Sequence, residues 1–247
     1  MRQISTPLTV CTLLLTGAAA ALSQQQTEYT LYVAEGADAE QVAAGVRKHL
    51  PKDSVLSICT VPAECHTAED AQKQAQALYS GVTHLPSLAV ADKEGPYAVL
   101  PLNAVSRESI QAAQVHASAQ ERKQTEQKRD LKARIFLVCA YLGGKQEPND
   151  EQLETIIREC RDLLQHPAAQ EEHKQFIGYR CLYPALMLQY KRGYTGAHTP
   201  YTEAKLLEAI AALEAARDVN RETKLGKQAF TERERLRKAR REARKYE

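Results

Sequence analysis

Gly81-Val82-Thr83-His84-Leu85-Pro86-Ser87-Leu88-Ala89-Val90-Ala91-Asp92-Lys93-Glu94-Gly95 is the stretch on which the fold turns. Gly81 closes an Ala- and Gln-rich helical run from Asp70 to Ser80. Pro86, which lacks a backbone N–H, opens a small apolar run over about 87–91, a position a strand tolerates. Asp92 to Gly95 carries charge and a glycine, the chemistry of a turn, and a second β-prone run covers about 97–101. The pattern predicts a β-hairpin entered through a proline.

Moving outward, Glu28 to Ala34 is short, β-prone and bounded by Glu35-Gly36. Asp38 can cap a helix reaching about Leu50, with Val42, Val46 and Leu50 on one face and Pro51 just beyond. Ser54 to Val61 reads as a strand apolar enough to be buried on both faces. Strand, helix, strand at this length implies a parallel, right-handed unit. A further helix starts near Ser106, so the order is β-α-β-α-β-β-α.

This order, with the segment Gly81 to Leu88 and the Asp92–Gly95 turn, resembles the thioredoxin superfamily over about residues 27–118. The resemblance implies a cis proline at Pro86 and a crevice beside it formed with His84 and Leu85. It also implies a Cys-x-x-Cys pair after the first strand, where a helix N-terminus lowers a thiol pKa and makes a thiolate nucleophile. Here that place holds Ala34-Glu35-Gly36-Ala37-Asp38-Ala39-Glu40, with no sulfur. Dithiol exchange at the usual position is therefore excluded by missing atoms.

The chain has 6 cysteines, of which Cys11 lies in the N-terminal apolar run. The others, Cys59, Cys65, Cys139, Cys160 and Cys181, are odd in number, so at least one stays free or pairs with another molecule. Cys59 and Cys65 bound a 7-residue segment. A structural disulfide there would contribute roughly 2–2.5 kcal/mol by chain entropy. The alternatives are a redox-active pair, with His66 beside Cys65, or two unpaired thiols. Cys59, Cys65, His66 and His84 are the only candidate metal set, and their spacing matches no zinc pattern. No Gly-rich phosphate loop, Gly-x-Ser-x-Gly elbow or His-Glu-x-x-His helix occurs, so no cofactor or metal is expected.

Residues 1–23 read as a secretory leader: Arg2, an apolar run through Leu22, and small residues Ala21 and Ser23 before Gln24. The run from Pro7 to Leu22 is 16 residues, shorter than the roughly 20 of a spanning helix. The expectation is an exported protein, periplasmic or secreted, that is not integral to a membrane. Of the 247 residues, 43% are hydrophobic and 26% charged with a formal charge of only +2, which excludes a wholly disordered chain and a polycation. Charge is uneven: 24–105 is acidic, 106–226 near neutral and 227–247 basic. With the leader, this suggests a first domain over 24–118, a helical domain over 119–226 and a basic C-terminal helix or tail over 227–247.

The second zone is predicted all-α, a helical bundle. Ser106 to Leu142 suits one long helix, polar from Gln120 to Asp130 and apolar all round at Ile135–Leu142. The polar section would bridge two domains or run along the surface. Asn149 can cap a helix bearing Leu153, Ile156, Ile157, Cys160, Leu163 and Leu164 at 3–4 spacing. A third spans about 169–191, kinked or split at Pro184, and a fourth about 202–217. Short loops imply antiparallel neighbours. Cys139, Cys160 and Cys181 recur every 21 residues, about one helix plus one loop, so their thiols would share a depth where pairs could meet. They read either as small buried core residues or as holding one disulfide.

The tail carries Arg233, Arg235, Arg237, Lys238, Arg240, Arg241, Arg244 and Lys245. It reads as a solvated charged helix or as a binder of an anionic surface, and export argues against nucleic acid. Taken together, these features predict a non-catalytic, exported, thioredoxin-like binding or scaffold protein that engages a peptide or protein partner. The rival is a thiol–disulfide oxidoreductase or isomerase using Cys59 and Cys65.

Overall fold

Alternation along β1 (Glu28–Ala34) sends Tyr29, Leu31 and Val33 to one face of a sheet and Tyr32 to the other. β2 (Leu56–Val61) pairs parallel to β1, with Tyr32 opposite Cys59. β3 (Ser87–Asp92) pairs antiparallel to β1, with Tyr32 opposite Ser87, and β4 (Gly95–Pro101) returns antiparallel to β3. The result is a small mixed sheet of order β2-β1-β3-β4. The computed structural model describes residues 27–92, 95–113, 119–144, 147–194 and 199–243. The leader expected over 1–23, Lys93-Glu94 of the turn, and Arg244 and Lys245 lie outside them.

Helices cover both faces. α1 (Ala39–Arg47) and α3 (Arg107–Ala113) bring Ala43, Val46 and Ile110 onto Tyr29, Leu31, Val33, Leu88 and Val90. α2 (Ala68–Ser80) lies on the opposite face, where Ala77 and Val82 meet Tyr32, Val61 and Ala89. The Tyr32 hydroxyl is buried there and bonds Ser80 Oγ at 2.7 Å. α2 starts on a capping box: Thr67 Oγ1 accepts from the Asp70 N–H, and the Asp70 carboxylate accepts from the N–H groups of Thr67 and His66.

The helix expected to run from Ser106 to Leu142 is described as two, α3 and α4 (Ala119–Gly143), with 114–118 between them outside the described residues. The polar half of α4 is polar because it docks by charge. Arg122 donates to Asp92 at 2.9 Å and covers the Tyr97 ring, Tyr79 donates to Glu126 at 3.0 Å, and Arg129 donates to the Pro96 carbonyl at 2.9 Å. The apolar half enters a helical core through Leu131 and Val138, backed by Ile135, Cys139, Tyr141 and Leu142.

That core is completed by α5 (Asp150–Leu164), capped by Asn149, which buries Leu153, Ile156, Ile157, Cys160 and Leu163. Arg134 ties α4 to α5, donating to Glu159 at 2.5 Å. α6 (Glu171–Phe176) and α7 (Tyr183–Gly193) are joined by a π-helical segment, Ile177–Leu182, rather than split at Pro184. A proline in a helix removes one N–H and crowds the carbonyl four residues back. The wider turn absorbs this: the Tyr183 N–H bonds the Gly178 carbonyl, five residues back. α8 (Pro200–Val219) begins on a Thr199/Thr202 capping box.

The basic segment is helical from Lys224, earlier than the change in charge at 227 suggests, and forms α9 (Lys224–Ala243). Ala229 and Leu236 bury against Leu206, Ile210, Leu213 and Ala216 of α8. At the α8–α9 corner, Gln175 Nε2 donates to the carbonyls of Ala216 and Asn220, and Thr223 Oγ1 donates back to Gln175. A Cβ at Gly226 would stand 2.1 Å from the Asn220 carbonyl oxygen, so only glycine fits this corner. Gly226→Ala is predicted to cost about 2–3 kcal/mol, read as a lower urea midpoint. Gly45→Ala, in open space within α1, is the opposite control and should gain about 0.5–1 kcal/mol.

Candidate functional site

The register places the end of β1 beside the proline that opens β3. The β1–β3 pairing ends at Tyr32 opposite Ser87, so the C-terminal end of β1 and the Pro86 entrance to β3 lie at the same end of the sheet. The Leu85–Pro86 peptide is cis. The Pro86 carbonyl is taken by the Leu102 N–H at 3.2 Å, and Ser87 Oγ donates to the His84 carbonyl at 2.6 Å. These bonds hold the loop shape while Thr83, His84 and Leu85 stand in solvent. Leu85, 37% exposed, is an apolar side chain displayed on this edge.

Across from it, Ala34 to Asp38 are exposed too. Gly36, at φ +83°, makes the turn, with the Ala37 N–H on the Ala34 carbonyl and the Glu35 N–H on the Val61 carbonyl. The N-terminus of α1 is closed by its own side chain: Asp38 Oδ1 accepts from the Gln41 N–H at 3.0 Å. The partial positive charge that would stabilise a thiolate there is spent on a carboxylate of this chain. Glu35 adds negative charge to the same rim, while Glu40 is paired with Arg47 at 3.3 Å.

Cys59 and Cys65 do not form the expected bridge in this structure; both are free thiols. Cys59 points from β2 into the cluster of Tyr32, Val61, Ala77 and Val82 beneath α2. Cys65 belongs to the loop before α2, whose course is set by the Asp70 cap. Burial raises the Cys59 pKa, against a smaller opposing pull from Lys73. Burial also raises Cys65, and the Asp70 carboxylate adds to it. Both shifts run away from the thiolate a nucleophile needs. His66, expected to assist Cys65, instead lies 3.3 Å from the Glu64 carboxylate. Among the described residues, no three His, Cys, Asp or Glu side chains gather as a metal site.

The helical cysteines do come together. Cys139 Sγ of α4 lies 3.7 Å from Cys181 Sγ of the π segment, and the Cys160 thiol of α5 also contacts Cys181. Cys160 and Cys181 are fully buried, while Cys139 is half-buried. The hydrogen bond to Cys181 and burial push the Cys139 pKa strongly up. At Cys181 the contact with Cys139 lowers the pKa, but the Cys160 thiol and burial outweigh it, and the group is pushed up to about 12.

The basic helix spends much of its charge inside the protein. Arg233 is buried and pairs with Glu214 and Glu234, Arg237 with Glu214, and Arg240 with Glu203, so α8 carboxylates meet α9 cations. Arg235 pairs with Glu232, and Lys238 lies 4.0 Å from Glu242. One feature invisible to sequence periodicity is an open groove of about 580 Å³ between Tyr179 and α9. Lys224, Lys227, Glu222 and Glu232 line it with both signs of charge. Among the described residues, no helix is long and apolar enough to cross a membrane.

Comparison of the chain with protein-family models, with curated proteins and with solved structures finds no match.

The raised thiol and phenol groups make stability fall at high pH. A thiol near its ordinary value of 9.0 when unfolded, but at about 12 for folded Cys181, leaves the folded state holding more protons across that window. Tyr79, pushed from 10.0 to about 12 by burial and its bond to Glu126, acts in the same direction. Stability in reducing buffer should therefore be level from neutral pH to about 9 and decline from there to about pH 12. Cys181→Ala should flatten that decline, as read from urea midpoints at stepped pH, whereas an unchanged slope would show that the thiol cluster does not titrate with folding.

Proposed function

We propose that this chain is an exported, non-catalytic binding or scaffold protein with a thioredoxin-like first unit, and that the rim between Leu85 and Asp38 receives a peptide segment of a partner protein. The observation that carries the reading is the closed N-terminus of α1. The position from which a thioredoxin-like nucleophile would act holds Ala34 to Asp38, with the Asp38 carboxylate already bonded to the Gln41 N–H. Support for the thioredoxin-like assignment comes from the strand order β2-β1-β3-β4, helices on both sheet faces, and Pro86 at the entrance to β3. Support for binding comes from the exposed Leu85 at the entrance to β3 and from the exposed acidic side chain of Glu35 in the turn after β1, at the same end of the sheet. That pairing fits an extended segment with one apolar residue flanked by basic ones. Export rests on the residues of the leader.

Two measurements test this. Insulin reduction in the presence of dithiothreitol should proceed at the rate without the protein, for the natural chain and for Cys59→Ser alike. Turnover that disappears in Cys59→Ser would replace the binding reading with the oxidoreductase one. In fluorescence anisotropy, peptides with a Leu or Phe between lysines should bind at least about 10-fold tighter than the same peptides between glutamates. Leu85→Asp should abolish that binding. Equal binding of both sets, or binding untouched by Leu85→Asp, would remove the rim from the account.

A further inference from the structure

We infer that Cys139 and Cys181 are a disulfide pair in waiting, a cross-link between α4 and the π segment that oxidation closes inside the helical core. The inference is independent of what the Pro86 rim binds. Three observations converge on it. The two sulfurs already touch, at 3.7 Å, and need to close to about 2.05 Å. They come from elements far apart in sequence, so the contact is made by the fold and not by chain proximity. Finally, Cys181 lies within the six-residue π segment, whose Ile177, Gly178, Cys181 and Leu182 are buried together. A π turn is an uncommon departure from regular helix, often found where a side chain must be aimed. Here the wide turn sets the angular position of Cys181 toward α4, and Gly178 lets the segment approach Ala216 closely enough to keep it there.

The chemistry balances with a small disulfide as the oxidant. The half-buried Cys139, the accessible member, loses its proton and attacks one sulfur of the oxidant. A Cys139–oxidant bond forms and one small thiol leaves. Cys181, deprotonated in turn, attacks the Cys139 sulfur and expels the second small thiol. The protein gives up two protons and two electrons, and the oxidant becomes two thiols. Cys160, fully buried beside Cys181, remains a thiol and accounts for one member of the odd set. The raised thiol pKa values make the reaction slow near neutrality and faster as pH rises toward 9.

The test is disulfide mapping of the purified protein. After incubation with oxidised glutathione at pH 8.5, the sample is quenched in acid, unfolded, alkylated at its remaining thiols, digested and weighed. The expected product is a Cys139–Cys181 linked peptide pair with Cys160 alkylated. Closing a loop this long should also raise the thermal midpoint by at least about 5 °C, an increase that dithiothreitol reverses. Cys139→Ala should lose the increase, and Cys160→Ala should keep it. Recovery of Cys139 and Cys181 as free thiols, or joined only to other cysteines, overturns the inference from the unmutated protein alone, however the variants fold.

Discussion

One helix holds the two parts of this protein together. The first half of α4 is fastened to the sheet unit by Arg122 on Asp92 and Tyr97, by Glu126 on Tyr79, and by Arg129 on the Pro96 carbonyl. Its second half is a buried wall of the helical core through Leu131 and Val138. A continuous helix is stiff, so the anchors at its two ends fix each other's position. The fastening is polar at one end and apolar at the other. Partly buried arginines bonded to a carboxylate and a backbone carbonyl are directional, whereas the apolar end acts through burial of Leu131 and Val138 in the helical core.

The free edge of the sheet follows from that arrangement. α1 and α3 cover one face, α2 covers the other, and α4 packs on α2 and the β4 end. The exposed pieces are the ends of the strands: the Ala34–Asp38 turn and the Thr83–Leu85 loop. Both are built by backbone bonds and by side chains already engaged, so the rim is shaped without a reactive group. Of the two sulfurs of this unit, Cys59 packs into the apolar cluster beneath α2 and Cys65 lies near the Asp70 carboxylate, and both settings favour the neutral thiol.

Much of this was legible in the residues. Alternation in Glu28–Ala34, the proline before Ser87 and the glycine after Ser80 mark the sheet unit, because strand burial and helix ends are local chemistry. The spacing of Leu153, Ile156, Ile157, Cys160 and Leu163 marks the face of α5 for the same reason. The 21-residue recurrence of cysteines anticipates their meeting, since it equals one helix and its loop. What was not legible depends on distant partners. Nothing in Gln120–Asp130 tells that Arg129 will donate to the Pro96 carbonyl, because a backbone acceptor leaves no mark on composition. The π segment is hidden in the same way: Pro184 announces a disturbance but not whether the helix breaks or widens. The basic tail reads as free charge until Glu203 and Glu214 of α8 are seen facing it. The closeness of Cys59 and Cys65 in sequence suggests a bond; in the structure Cys59 packs into the cluster beneath α2 and Cys65 belongs to the loop before it, with no bond between them.

At neutral pH the described residues at the Pro86 end of the sheet hold no ionised sulfur: burial keeps Cys59 and Cys65 in the thiol form. Residue-resolved alkylation by iodoacetamide across pH 5–10, followed by mass spectrometry in reducing buffer, measures this directly. Cys59 and Cys65 should label only as pH climbs above their ordinary range near 9.0, in keeping with their upward shifts. Rapid labelling of either below pH 7 would contradict the account, because it would place a reactive thiolate where the structure leaves only neutral thiols and carboxylates.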